Sequence, residues 1–481
     1  MSAPLAGRAR LPALAEADPR VRCLSRGDDA AGEYVVYWPQ TTRRADDNAA
    51  LSYAIAEANR RGLPVLVYES IRVDYPYASD RFHLFVLEGA RDAAPRFRAR
   101  GCSYAFFLPT SRDEQRGMLR RICERAALLV TDDFPTFIVP RHNASLAQKI
   151  RCAVVAVDDN CVVPLSLLPK EEYAARTIRP KIHRLLPAWL HPIEEPHASN
   201  SNPRLVSTLP FDLFDVENAV LDHAVARLPI DHEVKRAEGF IGGVVSAERR
   251  LAAFVSKKLD AYADDHNHPD KDATSHLSPY LHFGHIGARQ VALTIQAAGD
   301  AGHPRGAVDG FLEQLLVRRT LAFNLAATNP LHQTLGALPD WPRKTLGEHE
   351  HDAREHRFTR AELERAATND ELWNAAQREL VATGAIHNYA RMLWGKCVIP
   401  WKDTTKAAFD DLVYLNDKYA LDGRDPNTYT NILWCFGKHD RPWGPARPVF
   451  GTVRYMSTTN ARKKLELEGW LRKWGPQRSL L

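Results

Sequence analysis

The first 165 residues alternate short strand signals with helix signals, and this alternation limits the fold more than any other feature of the chain. Runs rich in strand-forming residues occur at 34–38, 64–68, 104–108, 128–130 and 153–157. Apolar residues spaced three and four apart between Leu51 and Ala58 predict a helix between the first two runs. Strands separated by helices form parallel sheets covered on both faces. We therefore predict a doubly wound, Rossmann-like α/β domain over residues 1–163.

The pattern changes twice after this region. Between 164 and 242 regular periodicity is lost, and proline and polar residues predict a long linker on the surface. Helical spacing dominates from 243 to 481, so that the second domain should be all-α. Within it, Thr368 and Glu371 predict a capping box in front of a helix that Gly384 ends.

Several classes of protein are excluded by what the sequence lacks. No Gly-x-Gly-x-x-Gly or Walker loop follows any predicted strand, which disfavours NAD-binding and P-loop proteins. The seven cysteines are scattered without a Cys-x-x-Cys pair, so we predict reduced thiols and no metal site. No apolar run reaches the roughly 18 to 20 residues of a membrane span, and Met1–Arg20 lacks a signal peptide pattern. We expect a cytoplasmic protein.

Positive charge and tryptophan are concentrated near the end of the chain. The whole chain has a net charge of +5, yet residues 434–481 contain ten Lys or Arg against three Asp or Glu. Eight of the ten tryptophans lie at or beyond Trp341. A basic surface mixed with flat side chains suits phosphate contacts and base stacking. A Trp-rich helical core with a solvated, charged end explains the same composition, and composition alone does not separate the two interpretations.

Four long sequence strings carry a specific resemblance. They read SHLSPYLHFGH at 275–285, RMLWGK at 391–396, NDKYALDGRDPN at 416–427 and RPVFGTVRYM at 447–456. In this order they resemble the photolyase/cryptochrome family, and within it the class II photolyases that act on cyclobutane pyrimidine dimers (CPDs). The resemblance covers nearly the whole chain. It implies an α/β antenna domain, a linker and a helical domain that binds FAD and DNA.

The resemblance implies a set of residues that bind the flavin. Tyr262, Thr274, Ser275 and Leu277 match positions that hold the phosphates and ribitol of FAD. Arg391, Asn416 and Asp422 match positions near the isoalloxazine ring. A neutral amide such as that of Asn416 can both donate and accept a hydrogen bond, which suits a role beside the ring. Taken alone, the Ser and Thr residues could cap a helix, and so could Asn416.

Three tryptophans match the electron relay of the family, which carries an electron from the surface to photoexcited oxidised flavin. They are Trp373, Trp394 and Trp401. Trp394 and Trp401 are seven residues apart and would share one face of a regular helix. The same spacing is typical of a buried helical core, so the relay follows from the resemblance and not from the spacing.

The resemblance also implies contacts with damaged duplex DNA. Met392 and Trp434 match residues that line the pocket for the dimer, and Arg441 and Arg454 belong to the basic set that meets the lesion or the backbone. A dimer stacks and pairs poorly, and its extrusion from the helix is described for photolyases as a class. We expect a monomer that binds UV-damaged duplex DNA with the dimer flipped out, associated with the nucleoid if the source is bacterial.

Three positions depart from the family pattern. The family usually has Glu-Glu-Leu-x-Val-Arg-Arg, but here Gln314 stands at the second Glu, which contacts the dimer. His266 replaces a common Arg, and 321–327 lacks the family's Asp-Asn-Phe-Cys. A neutral amide can donate a hydrogen bond to a pyrimidine but cannot transfer a proton. Flavin binding is therefore the firmer expectation, and efficient repair the weaker one.

Three functions follow from these residues. The leading hypothesis is light-driven repair of CPDs by reduced FAD, with Gln314 and Asn416 at the reaction site. The second is a cryptochrome-like blue-light photoreceptor with lost or weak repair, and the third is a DNA-binding protein without activity. The family often holds an antenna chromophore, a deazaflavin or a folate, in the α/β domain, and the sequence does not choose between them.

Overall fold

The computed structural model describes residues 18–27 and 32–476. The prediction of no signal peptide at Met1–Arg20 therefore falls mostly on residues outside the described part. Six strands form one sheet in the order β1-β6-β5-β2-β3-β4. Their bounds are β1 Val21–Ser25, β2 Tyr34–Trp38, β3 Val65–Ser70, β4 Ser103–Phe107, β5 Ala126–Asp132 and β6 Ala153–Val157.

Five of these strands, β2 to β6, run parallel, as predicted. The edge strand β1 was not predicted, and it pairs antiparallel with β6. Its sequence contains Arg22 and Ser25 and it is largely open to solvent. An edge strand with so little buried apolar surface lacks the hydrophobic run that identifies a central parallel strand.

Alternate residues of each central strand point to opposite faces of the sheet, and each face has its own hydrophobic core. Val35 and Tyr37 belong to one core, and Tyr34 and Val36 to the other. The helices beside the sheet are α1 Ala49–Arg61, α2 Asp80–Ala99, α3 Arg112–Gln115, α4 Met118–Cys123 and α5 Val139–Lys149. The doubly wound α/β prediction is confirmed.

The predicted linker contains more structure than its sequence suggested. It includes α6 Ala175–Trp189 and α7 Leu221–Val225, with 3₁₀ turns at Leu165–Leu167 and Pro203–Thr208. Ile178 and Ile182 of α6 pack against Val317 and Leu321 of the helical part. Two prolines lie inside α6 and interrupt the helical sequence pattern, which explains why this helix was not predicted.

The rest of the described chain is helical, and the predicted change from α/β to α is confirmed. The helices are α8 Val244–Lys257, α9 Tyr262–Asp265, α10 Ser278–His282, α11 Ala288–Asp300, α12 Arg305–Leu312, α13 Arg319–Thr328, α14 Asp340–Glu348, α15 Arg360–Glu364, α16 Glu371–Thr383, α17 Asn388–Val398, α18 Thr405–Tyr419, α19 Pro426–Cys435, α20 Thr458–Lys464 and α21 Glu468–Trp474. A π-helical turn, Glu313–Arg318, joins α12 to α13. Short 3₁₀ turns lie at Pro269–Lys271, Leu335–Ala337 and Ile399–Trp401. None of the helices in the described ranges is long and apolar enough to cross a membrane.

Helix α16 begins differently from the prediction. Asp370, not Thr368, is the N-cap, and its carboxylate accepts hydrogen bonds from the backbone N–H of Leu372 and Trp373. The Thr368 hydroxyl lies 2.8 Å from Oδ1 of Asn374 instead. The capping-box prediction was therefore wrong, because a nearer carboxylate satisfies the first turn. The predicted end is confirmed, since Gly384 adopts a φ of 71° there.

A buried arginine joins the sheet domain to the helical domain. Arg81, on α2, donates to the carbonyl oxygens of Val381, at 2.5 Å, and Tyr419, at 2.6 Å. It also donates to Leu380 O at 3.3 Å. These carbonyls lie at the ends of α16 and α18, where a cation interacts favourably with the helix dipole. One side chain of α2 thus fixes the ends of two helices that contribute predicted site residues.

Candidate functional site

A cavity of about 310 Å³, here called the main cavity, lies within the helical domain. Its walls come from α9, the segment before α10, the π-helical turn, the start of α17 and the residues around α19. Eight of the residues predicted to contact the flavin or the dimer line it: Tyr262, Thr274, Ser275, Leu277, Gln314, Arg391, Asp422 and Trp434. The fold therefore brings most of the predicted flavin residues and two of the predicted dimer residues to one space.

Asn416 lines a small neighbouring cavity of about 30 Å³ and does not line the main cavity. Met392 and Trp394 line this small cavity too, and Arg391 lines both. Asn416 is buried in the last turn of α18, where its Nδ2 donates to the Thr428 hydroxyl at 3.0 Å. Its amide is thereby fixed in orientation beside the main cavity.

Arg391 and Asp422 form a bidentate ion pair in the wall of the main cavity. The two N···O distances are 3.1 and 3.3 Å, and the Ser278 hydroxyl donates to the same carboxylate at 2.8 Å. Planar, two-point pairing of this kind fixes both groups more strictly than a single contact. The arginine is therefore held at the cavity with a defined direction and a partly compensated charge.

The turn that follows α18 depends on a glycine. A Cβ atom on Gly423 would lie 2.8 Å from the carbonyl oxygen of Asn416 and 3.0 Å from that of Ala420. Any larger residue would push the turn away from the end of α18. This close approach keeps Asp422, on the turn, next to Asn416, on the helix.

The three predicted relay tryptophans are in contact in the order Trp394, Trp373, Trp401. The rings of Trp373 and Trp394 stack with centroids 6.3 Å apart, and Trp401 meets Trp373 edge-on at 5.4 Å. Trp394 lines the small cavity, while Trp401 is the most exposed of the three, at 8%. Helix α17 ends at Val398, so that Trp401 lies on a 3₁₀ turn and the expected single regular helix was wrong.

Gln314 lies on the π-helical turn and is exposed to the main cavity. Its neighbour Glu313 does not line that cavity. The Glu313 carboxylate makes a bidentate pair with Arg179 of α6, at 2.7 and 2.9 Å, beside a separate open groove. Glu313 is therefore unavailable as a replacement for a carboxylate at position 314. Single π-helical turns are often found at functional sites.

Arg441 and Arg454 lie outside both cavities, on an exposed surface. Their guanidinium groups flank the ring of Trp443, at 4.3 and 5.1 Å from its centroid. Trp443 is 38% exposed. Cations stacked on an exposed indole offer positive charge for phosphates and a flat apolar face for bases. Both features bind single-stranded or distorted nucleic acid.

The structure adds cavity residues that the sequence analysis did not single out. Asn388 lines both cavities and lies one turn before Arg391, so that helical spacing from a known site residue could have found it. Arg318, one turn after Gln314, lines the main cavity with its guanidinium 5.4 Å from the Trp434 ring. Glu379 and His387 also line this cavity, and no motif pointed to them.

All three family departures contribute to the wall of the main cavity, Gln314 as described above. His266 stacks on Tyr262 with ring centroids 4.7 Å apart, and both line the cavity. Leu321 lines it too, but Asn324, in the same segment, points to the linker. The Asn324 amide donates to the carbonyls of Leu168 and Lys170, so it serves to hold the linker against α13.

A third space, the sheet cavity, has a volume of about 130 Å³ at the carboxyl ends of the strands. Trp38, Ser70 and Phe134 line it from the ends of β2 and β3 and from just after β5. The strand order reverses at β2, and ligands of open α/β sheets bind at such a switch point. His282 lines the sheet cavity and its Nδ1 lies 3.0 Å from Oδ2 of Asp425, which lines the main cavity. This pair connects the walls of the two cavities.

Comparison with known proteins gives the family. A profile described as DNA photolyase matches residues 35–197. The chain is 36% identical to the deoxyribodipyrimidine photo-lyase of Methanothermobacter thermautotrophicus over 94% of its own length and 97% of that protein. It is 34% identical to the enzyme of the same name from Arabidopsis thaliana, covering 94% of this chain and 92% of that one. A crystal structure of a Synechocystis cryptochrome shares the fold, with a TM-score of 0.71 at 15% identity over 92% and 88% of the two chains. The chain therefore belongs to the photolyase/cryptochrome family.

Proposed function

We propose that this protein is a class II-like deoxyribodipyrimidine photolyase, which uses light and reduced FAD to repair cyclobutane pyrimidine dimers in DNA. One observation carries the proposal: Tyr262, Thr274 and Arg391, expected at the flavin, and Gln314 and Trp434, expected at the dimer, line one cavity. Curated relatives named deoxyribodipyrimidine photo-lyase support an enzyme of this kind. They are 32 to 36% identical to this chain over 94 to 95% of its length.

The residues of the main cavity fit a flavin dinucleotide. Hydroxyl groups of Thr274 and Ser275 and the ion pair of Arg391 and Asp422 supply polar contacts, and Tyr262 and Leu277 supply apolar wall. A mostly apolar cleft with a few convergent polar groups is the usual form of a cofactor site. Bound there and excited by light, reduced flavin would supply an electron to the dimer and take it back after the cyclobutane ring opens.

The protein's own residues would hold and orient the reactants. Asn416, fixed by Thr428, would present its amide to the flavin ring, and Arg391 would place positive charge that favours a reduced, anionic ring. Gln314 would donate a hydrogen bond to a carbonyl of the flipped dimer. Met392 and Trp434 would provide apolar wall for the two linked bases of one strand that have left the stack. Trp394, Trp373 and Trp401 would return oxidised flavin to its reduced form under light.

We further propose that residues 1–163 form an antenna domain, 164–242 a linker and 243–481 the flavin- and DNA-binding domain. The sheet cavity would hold an antenna chromophore, a deazaflavin or a folate, because it lies at the switch point of the sheet and the His282–Asp425 contact connects its wall to that of the main cavity. The protein would act as a cytoplasmic monomer on duplex DNA, through Arg441, Arg454 and neighbouring basic residues, and on the nucleoid in a bacterium.

The experiment that tests repair uses reduced protein and an oligothymidylate containing cyclobutane dimers. Under near-ultraviolet or blue light the dimers should disappear and two monomeric thymines should form for each dimer lost, with no change in the dark. Chromatography of the digested oligonucleotide measures both species. A preparation that binds flavin but removes no dimers in light would reject the proposal.

Gln314 favours a second candidate function, a blue-light photoreceptor with weak or absent repair. A neutral amide cannot share a proton with the dimer, whereas the three relay tryptophans remain in contact. Part of the chain, 36% of its length, is also 31% identical to the cryptochrome-1 of Sinapis alba. Light-dependent binding of a partner without dimer repair would favour this function over the first.

A further inference from the structure

One buried side chain of the main cavity has no hydrogen-bond partner in the part of the chain that the structure describes. His387 is the N-cap residue of α17, lines the main cavity and is 8% exposed. Among the residues that the structure describes, none forms a hydrogen bond with its Nδ1 or its Nε2. Buried ring nitrogens without partners are rare and costly in native proteins. A ligand in the cavity is the natural partner for them.

The surroundings of His387 favour a neutral imidazole. Burial lowers the pKa of His387 to about 4. Glu379, on α16, faces it, and its Oε2 accepts a hydrogen bond from the backbone N–H of His387 at 3.2 Å. The other charged or titratable groups near the ring are His266, His268, Asp272 and His276, all from the segment between α9 and α10.

A neutral imidazole has one donor and one acceptor nitrogen, and this limits the group that it can bind. A hydroxyl group both donates and accepts, so it can satisfy either ring nitrogen, and two hydroxyls of one polyol can satisfy both. A phosphate only accepts hydrogen bonds, and at this position it would also lie near the carboxyl group of Glu379. The chemistry of the site therefore selects an alcohol and not the diphosphate of a dinucleotide.

We propose that His387 binds a sugar hydroxyl of the flavin cofactor, as a residue of the main cavity that fixes the chain between the ring and the adenine. This inference rests on the proposed flavin-binding function. Hydroxyl groups occur in two parts of FAD. The ribityl chain is common to riboflavin, FMN and FAD, whereas the ribose of the adenosine half belongs to FAD alone.

The test compares the affinity of three flavins for four full-length proteins. Wild type, His387→Ala, His387→Gln and the control His183→Ala are loaded with riboflavin, FMN or FAD, and flavin release on dilution is followed by fluorescence. His183 is exposed on α6, outside the main cavity. For FAD, we expect about tenfold weaker binding in His387→Ala, the loss that one or two unmade hydrogen bonds produce. The Gln variant, which keeps a donor and an acceptor, should stay within about threefold of wild type.

The pattern across the flavins identifies the hydroxyl. Weaker binding of all three flavins by His387→Ala assigns the contact to the ribityl chain, and weaker binding of FAD alone assigns it to the ribose. Unchanged binding of every flavin would overturn the inference, and so would equal losses in the Ala and Gln variants. If the Ala variant does not fold, His387→Leu takes its place: about tenfold weaker FAD binding in that variant supports the inference, and unchanged FAD binding overturns it.

Failure of this inference and failure of the proposed function can be told apart. Wild-type protein that binds none of the three flavins would overturn the proposed function, and the inference with it. Wild-type protein that binds FAD, together with an unaffected His387→Ala variant, would overturn only the role of His387.

Discussion

The indole rings of Trp373 and Trp394 are parallel to within 4°, and the indole N–H of Trp373 donates to the backbone carbonyl oxygen of Trp394 at 2.9 Å. Helices α16 and α17 are joined through this contact. Because Trp394 also lines the small cavity beside Asn416, the pair forms a continuous aromatic contact from the candidate site towards Trp401.

Replacement of Trp373 should block photoreduction without blocking repair. The Trp373→Phe variant removes the middle ring of the contact series, and phenylalanine is much harder to oxidise. We expect photoreduction of oxidised flavin to be lost, while protein reduced chemically beforehand still repairs dimers. Absorbance changes under blue light measure the first activity. Trp189→Phe, on α6, is the control, and equal photoreduction in both variants would remove Trp373 from the relay.

Restoring a carboxylate at position 314 should improve repair. Gln314→Glu places an acid on the exposed face of the π-helical turn, where it can donate or share a proton with the dimer, so the repair yield per photon should rise. Gln314→Ala should weaken binding of dimer-containing DNA by roughly fivefold, the loss of about one hydrogen bond of about 1 kcal/mol. Yield is measured by actinometry and affinity by fluorescence anisotropy. Gln296→Glu, at an exposed position on α11 outside the main cavity, adds the same charge and should leave the yield unchanged.

The buried Arg81 should contribute strongly to stability. In Arg81→Met the carbonyl groups of Val381 and Tyr419 lose the guanidinium donor, while that of Leu380 keeps the Gly384 N–H, and the free energy of unfolding should fall by about 3 kcal/mol or more. Urea denaturation followed by circular dichroism measures this. Arg98→Met, which breaks an exposed pair with Glu217, should change it by less than about 1 kcal/mol. Similar losses in the two variants would contradict the role given to Arg81.

Glu379 should make stability fall as pH rises. Burial raises the pKa of Glu379 from its ordinary 4.5 to about 7. Between these two pH values the folded protein keeps a proton that the unfolded chain has lost. The stability of wild type relative to Glu379→Gln should therefore decrease between pH 4.5 and pH 7, by about 3 kcal/mol in total. Urea titrations of both proteins across this range give the difference, in which the other titrating groups largely cancel. A difference that does not vary with pH would show an ordinary pKa at this site.

Arg454 should contribute non-specific affinity for DNA. Removing one phosphate contact in Arg454→Ala should weaken binding of undamaged and damaged duplexes alike and reduce the slope of log affinity against log salt by about 1. Anisotropy titrations at several salt concentrations measure the slope. Arg98→Ala, in the sheet domain, provides the matched loss of one positive charge. The same slope in both variants would place Arg454 outside the DNA interface.

The parts of the fold that follow local rules could be predicted from the sequence. The five parallel strands have apolar runs because both their faces are buried, and Gly384 ends α16 because glycine adopts a positive φ easily. The edge strand β1 and helix α6 could not be predicted, since their polar and proline residues are tolerated only through contacts made elsewhere in the fold. Arg81 gave no signal, because its partners are backbone carbonyls about 300 residues away.

The candidate site could be predicted only in part, and for a related reason. The resemblance identified residues such as Thr274 and Arg391, and the fold places them in one cavity. It gave no reason to separate Asn416 and Met392 into a neighbouring cavity, which depends on how α17, α18 and α19 pack. His387 was missed because a histidine before a helix is unremarkable in a sequence. Its interest comes from two buried nitrogens that have no hydrogen-bond partner within residues 18–27 and 32–476.

The central claim is that the main cavity holds a flavin in electronic contact with Trp394. The most direct measurement is the visible absorption spectrum of purified protein after incubation with FAD, before and after blue light with a reductant. We predict a bound, oxidised flavin spectrum that bleaches in light and does not bleach in Trp394→Phe. A protein that stays colourless after gel filtration, or whose flavin is photoreduced equally well without Trp394, would contradict the account.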